Sequence, residues 1–255
     1  MEYFLTLALI LLVYMTFWFI FSLVRKRNDI ADVAWGLGFV VLAWFSLYIS
    51  QNFEITTFLV NALVTVWGLR LSYHIYRRYR KGSEDYRYLK YRETWGRWFY
   101  IRSYLQIYIL QGTLLFIIVS PVLIINKFAD DSFNVLVVLG VLVWLTGFIF
   151  ESVGDAQLSR FIKNPANRGK LMMEGLWKYT RHPNYFGEVL LWWGIWIVAT
   201  PFPYGLWSVI GPLTITFLIL KVSGIPMLEE KMSEHPDFAE YKRRVSVFIP
   251  LPPKE

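Results

Sequence analysis

The apolar positions of this chain come in long runs separated by short polar connections. Windows able to cross about 30 Å of hydrocarbon, roughly 20 residues each, occur near residues 3–24, 31–50, 55–76, 100–125, 133–152, 185–200 and 204–222. The pattern predicts an all-α fold, a polytopic membrane bundle of about seven transmembrane helices. The first window has only Glu2 ahead of it and runs into Arg25-Lys26-Arg27-Asn28. It lacks a basic leading region and a small-residue cleavage site, so it reads as a helix that stays and not as a signal peptide. No period of repeat length and no Pro/Ser-rich linker interrupts the chain, which predicts a single integral membrane domain over residues 1–255. Gly36-Leu37-Gly38 carries two glycines of a dinucleotide fingerprint without the third, inside an apolar span and not after a soluble strand, and is set aside.

Composition sharpens this picture. The 255 residues are 56% hydrophobic and 19% aromatic, against roughly 45–50% apolar in a soluble domain. Charged residues make up 18% and fall in short clusters, which excludes disorder and charged tails. The absence of cysteine excludes disulfides, a thiolate nucleophile, an iron–sulfur cluster and cysteine-ligated zinc. The net charge of +7 follows the apolar spans and not one binding face, so it signals topology and not nucleic acid. Of the 26 Lys and Arg, three lie at 25–27, nine at 77–102, six at 160–181 and six at 221–254. The opposite connections carry Lys127 with Glu2, Glu54, Asp130 and Asp131, and Arg70 sits inside the third span. The positive-inside rule then places the amino end outside and the carboxyl end in the cytoplasm.

Charged groups at bilayer depth cost at least about 2.5–3.5 kcal/mol, so those present face a cavity or the bundle interior. Asp32, Arg70, His74, Glu151, Asp155, Glu188 and Lys221 all sit in or beside span ends on the basic side, where they could line one cavity. Arg70, His74 and Arg78 share one helix face at four-residue spacing, as do Glu151 and Asp155. Buried ion pairs and snorkelling side chains are the structural alternative. Among these groups His74 is best suited to proton chemistry, since its ordinary pKa lies near neutrality.

The connection 151–188 holds the most specific chemistry. Asn164-Pro165, Asn167 and Gly169 mark turns. Lys163, Arg168, Lys170, Lys178 and Arg181 offer cationic donors suited to phosphates, and Asp155 can accept from an amide or a sugar hydroxyl. His182-Pro183-Asn184 opens the next helix with proline at a first helical position and free amide donors just inside. Asn184 and Glu188 follow on one face, four residues apart. Trp177, Tyr179, Tyr185, Trp192 and Trp193 also fit a headgroup-level aromatic belt.

These residues resemble a known family. The stretch Gly175–Glu188, GLWKYTRHPNYFGE, with Asp155 upstream and a basic tail ending near FIPLPP, is similar to the carboxyl-terminal part of the steroid 5-alpha reductase superfamily. NDIADVAWG at 28–36, WGLRLSYHI at 67–75 and EDYRY at 84–88 resemble a bacterial branch of it. The resemblance spans nearly the whole chain, with 151–255 as the family's carboxyl-terminal part. It implies a seven-helix membrane oxidoreductase that takes NADPH from the cytoplasm and gives hydride to an activated carbon–carbon double bond of a lipid-like or steroid-like enone. On it, Asp155, Asn184 and Glu188 are cofactor contacts, Arg168 is a phosphate contact, and Lys163, Asn164, Arg181, His182 and Tyr185 complete the cofactor-binding connection. Where the reductases present a Gln-Glu pair and a Tyr, this chain offers Asp32 and either Tyr73 or His74 as the catalytic groups polarising the substrate carbonyl. The family's His and Tyr after the seventh helix are replaced around Ser223 to Met227. The bacterial branch implies an inner-membrane location.

A second resemblance competes. RHPNYFGE followed by MLEEKMSEHPDFAEYKRRVSVFIP at 227–250 is also similar to isoprenylcysteine carboxyl methyltransferases and bacterial phospholipid methyltransferases, which use S-adenosylmethionine. Six Lys/Arg against three acids between 151 and 183 suit the phosphates of NADPH better than a sulfonium donor without phosphate. A third class is a lipid-binding membrane protein without chemistry, which predicts tolerance at the polar cluster.

Overall fold

The computed structural model describes residues 2–130 and 134–254, so Asp131 lies outside the described residues. The protein is all-helical. Six described helices are long and apolar enough to cross a membrane: Glu2–Arg25, Ile30–Ser50, Ile55–Arg80, Tyr86–Ile118, Val135–Lys163 and Leu206–Met232. This is a multi-pass membrane protein. The window expected at 185–200 forms the Pro183–Ala199 helix of only 17 residues. At 1.5 Å per residue it is about 26 Å long, at the lower end of what crosses a hydrocarbon core of roughly 30 Å, and with the six longer helices it agrees with the expected polytopic bundle of about seven.

The chain divides into two compact units, Met1–Phe133 with Pro201–Ile210, and Asn134–Thr200 with Gly211–Glu255. In the first unit, α1 (Glu2–Arg25), α2 (Ile30–Ser50) and α3 (Ile55–Lys81) pack in sequence. The α2–α3 crossing is tight because two glycines meet there. A Cβ on Gly68 would lie 2.6 Å from the Gly36 carbonyl oxygen, and one on Gly36 would lie 2.7 Å from that of Gly68. At the other end of these helices a buried amide knot replaces apolar packing. Asn61 Nδ2 donates to Asn126 Oδ1 at 2.6 Å, and Asn126 Nδ2 donates to Ser46 Oγ at 2.9 Å and to the Ala43 carbonyl at 3.0 Å. The Tyr3 hydroxyl closes the knot, 2.7 Å from Ser46 Oγ and 3.0 Å from the Leu123 carbonyl.

The window expected at 100–125 is redistributed. Its helix starts earlier, at Tyr86, where Asp85 caps it by accepting from the Arg87 amide at 3.1 Å. The polar stretch 86–98 stays helical or nearly so, with Tyr91 stacked on Trp95 at 4.6 Å. The helix then ends at Ile118, and a separate helix, Ser120–Phe128, begins with Pro121 in its first turn. Proline has no amide hydrogen to donate and crowds the carbonyl four residues back, which breaks the run.

In the second unit, Val135–Lys163 and Pro183–Ala199 form an antiparallel pair in direct backbone contact. Gly140 faces Gly194 and Gly147 faces Gly187, a seven-residue step on each helix, and Gly154 faces Pro183 and Asn184. A Cβ on Gly140 would lie 2.6 Å from the Gly194 carbonyl oxygen, and one on Gly147 would lie 2.6 Å from that of Gly187. Small residues that let backbones touch are how helices associate where lipid removes the hydrophobic drive. The carboxyl-terminal tail is laced to residues 177–181. Arg181 N donates to the Ser246 carbonyl at 2.9 Å, Leu251 N to that of Tyr179 at 3.0 Å, Thr180 Oγ1 to that of Phe248 at 2.9 Å, and the Tyr241 hydroxyl to that of Trp177 at 2.7 Å.

Candidate functional site

Polar chemistry gathers at one place in each unit. In the second unit the glycine seam ends at Gly154, against Pro183 and Asn184. One residue on, Asp155 is buried and accepts from Asn184 Nδ2 at 3.1 Å. That bond uses one of the two amide N–H groups and leaves the other, with Oδ1 as an acceptor, on a half-buried side chain. Glu151 is buried one turn before Asp155, and Glu188 is half-buried one turn after Asn184. The fold thus sets Asp155 of one helix against Asn184 of the next, with Glu151 and Glu188 each one turn away along its own helix.

The other residues of the connection divide into two groups. Lys163, Asn164 and Arg168 are exposed around the end of the long helix, where Asn164 Oδ1 accepts from the Ala166 amide at 3.1 Å and Gly169 turns the chain at φ +76°. Arg181 and His182 are instead buried and engaged by a residue that sequence reasoning missed. Glu229 Oε1 accepts from Arg181 Nε at 2.8 Å, and lies 2.7 Å from Arg181 Nη2 and 3.3 Å from His182 Nε2. Arg181 Nη1 also donates to the Lys242 and Val245 carbonyls. Tyr185 stacks on the His182 ring at 5.7 Å. Burial pushes the Tyr241 phenol, beside this network, above its ordinary range.

In the first unit the turns 26–32 and 82–88 are stitched by alternating charges. Asp32 accepts from the Tyr88 hydroxyl at 2.6 Å and from Arg87 Nη2 at 2.7 Å. So paired, Asp32 accepts from both partners. Arg87 also reaches Asp85 at 3.0 Å, and Arg78 lies 3.6 Å from Asp85. Burial pushes the Asp85 carboxyl up, but hydrogen bonds from Arg87 and the charges of Arg87 and Arg78 outweigh it and hold the group below its ordinary value. Arg27 grips Asp29 at 2.6 Å, and that hydrogen bond holds its guanidinium above its ordinary value. A hollow of about 240 Å³ lies among these groups, lined by Asp29, Asp32, Arg78 and Asp85. Tyr73 is exposed on the wall of a larger cavity, and His74, next to it, is half-buried. The motif EDYRY supplies Asp85, Arg87 and Tyr88, yet nothing in its spacing reveals that it closes on Asp32.

A family model described as "Protein of unknown function (DUF1295)" matches residues 18–245. The chain belongs to this DUF1295 family. The family is steroid 5-alpha reductase-like, as the expected resemblance had it. An uncharacterised protein of Schizosaccharomyces pombe is 24% identical over 258 aligned residues, covering 90% of this chain and 74% of the relative. The human 3-oxo-5-alpha-steroid 4-dehydrogenase 1 is 29% identical over 119 residues, 44% of this chain and 40% of that enzyme. No solved structure matches.

Proposed function

We propose that this DUF1295 protein is a membrane reductase that takes hydride from NADPH and gives it to the activated double bond of a lipid-like enone. The observation that carries the reading is the hydrogen-bonded Asp155–Asn184 pair at the head of the Pro183–Ala199 helix, with Glu188 one turn on. A carboxamide held by a carboxylate presents an acceptor and a donor to an amide, the group a nicotinamide carries. Lys163 and Arg168, exposed at the end of the long helix, supply charge for phosphates. Arg181 and His182 then act by fixing the loop and tail through Glu229. NADPH, when bound, supplies the hydride. In the first unit the substrate carbonyl is polarised by hydrogen bonds from His74 and Tyr73, with Asp32 orienting the Tyr88 hydroxyl. The location we assign is the bacterial inner membrane.

The test is binding of NADPH and of S-adenosylmethionine to the purified protein by calorimetry, with turnover of a lipid enone read from NADPH absorbance. Asp155→Ala and Asn184→Ala are each expected to weaken NADPH about tenfold or more, the loss of one or two charge-assisted hydrogen bonds. Binding of S-adenosylmethionine in place of NADPH would identify a methyltransferase, and binding of neither a lipid-binding protein. Unchanged turnover in Asp32→Asn and His74→Ala would remove those residues from the reaction.

A further inference from the structure

A cavity of about 740 Å³ in the first unit lies where the basic ends of α1 and α3 meet the start of α2. Its chemistry is divided. Arg25, Arg27 and Arg80 line it and no carboxylate does. Arg27 is neutralised by Asp29 and lies 4.1 Å from the centre of the Tyr79 ring. Arg25 and Arg80 form no salt bridge among the described residues, so two uncompensated positive charges border the hollow. Tyr79, which lines both this cavity and the smaller hollow, is 9% exposed, and its hydroxyl is buried without a hydrogen-bond partner. Buried hydroxyls are ordinarily satisfied, so an unpartnered one beside cations marks a place for an acceptor.

The remaining wall is apolar and aromatic, with Phe21, Leu37 and Leu69 beside Tyr73, which is 62% exposed. These side chains lie on membrane-spanning helices, so their exposed faces meet acyl chains. A ligand complementary to this cavity carries negative charge at one end and a hydrocarbon chain at the other, and arrives sideways from the bilayer. A free phosphate would leave the aromatic wall unused.

We infer that this cavity is a binding site for an anionic phospholipid, its phosphate held by Arg25, Arg80 and the Tyr79 hydroxyl and its acyl chain laid along Phe21, Leu69 and Tyr73. The site shares Tyr73 with the proposed reductase chemistry, but retention of lipid is measured without turnover, so failure of one reading is distinguished from failure of the other.

The protein is reconstituted in vesicles of equal phosphatidylcholine and phosphatidylglycerol, extracted in mild detergent, and the lipid it keeps is read by native mass spectrometry. Phosphatidylglycerol is expected to be retained over phosphatidylcholine. An arginine near an anionic surface contributes about fivefold, so Arg25→Ala with Arg80→Ala cuts the preference about 30-fold. Tyr79→Phe, which keeps the ring and its packing, lowers it about fivefold. Arg97→Ala with Arg102→Ala removes two exposed arginines that do not line the cavity and leaves the preference unchanged. Equal retention of the two lipids, or the same loss in the Arg97/Arg102 variant, overturns the site in favour of general surface charge.

Discussion

Glu229 holds a cation that has almost no access to water, and its removal has a calculable consequence. The Arg181 side chain is 5% exposed and makes three hydrogen bonds, one to Glu229, which also lies 2.7 Å from its Nη2, and two to the carbonyls of Lys242 and Val245. In Glu229→Ala the two carbonyl bonds survive but the opposite charge is lost. Orphaning a buried charge costs about 3–5 kcal/mol, and the surviving bonds put this case near the lower figure. About 3 kcal/mol corresponds to roughly 150-fold in the equilibrium for releasing the tail. The reporters are the Arg181 amide, bonded to Ser246, and the Leu251 amide, bonded to Tyr179. Hydrogen exchange of the protein in detergent micelles, followed by mass spectrometry, should show peptides over 177–182 and 245–251 exchanging about 150-fold faster in Glu229→Ala, with peptides of α1–α3 unchanged. Glu229→Gln keeps a neutral acceptor and should fall between. Arg181→Met with Glu229→Leu removes both charges and should recover most of the protection, because the cost lies in the orphaned cation. Wild-type exchange in Glu229→Ala would show that the backbone bonds alone hold the tail and would refute the argument.

Two further outcomes follow from the first unit. Asn126→Leu takes one partner each from the buried Asn61 amide, the Ser46 hydroxyl and the Ala43 carbonyl, and should lower stability by about 1–3 kcal/mol in a denaturant titration; Asn61→Leu with Asn126→Leu should cost less than the sum of the single changes, and strict additivity would show that the two amides do not interact. Asp85, whose carboxyl is held below its ordinary value, stabilises the folded state above the ordinary carboxylate pKa and loses that contribution as pH falls through its depressed pKa. Asp85→Asn should therefore melt lower than wild type at neutral pH and show a shallower loss of melting temperature on acidification, and parallel pH profiles would count against the pairing.

Most of the helical framework is legible in the chain because apolar length is a local property. The windows 3–24 and 31–50 become Glu2–Arg25 and Ile30–Ser50. The errors arise where local pattern yields to a single residue or to distant packing. Pro121 cuts the expected fourth window, and the charged segment from Tyr86 is helical as its rings stack, Arg87 reaches Asp32 and Asp85, and Arg92 reaches Glu84 just ahead of the helix. The polar residues follow the same division. Asp155, Asn184 and Glu188 are singled out because carboxylates and amides are costly in an apolar setting. Arg87, Tyr88 and Glu229 escaped because their roles depend on pairings 47 to 56 residues apart. The cavity beside α1 is illegible for a simpler reason: it is defined by volume the side chains leave unfilled.

The backbone contact between the Val135–Lys163 and Pro183–Ala199 helices acts as a vernier. With carbonyls facing glycines at Gly140, Gly147, Gly187 and Gly194, a slip of one residue, about 1.5 Å, drives a side chain into the opposite backbone. Asp155 lies eight residues beyond Gly147, about 12 Å along the axis, so the distance between Asp155 and Asn184 is calibrated by atoms that never touch either. A methyl group added two turns away would therefore retune the polar pair without altering one of its own atoms.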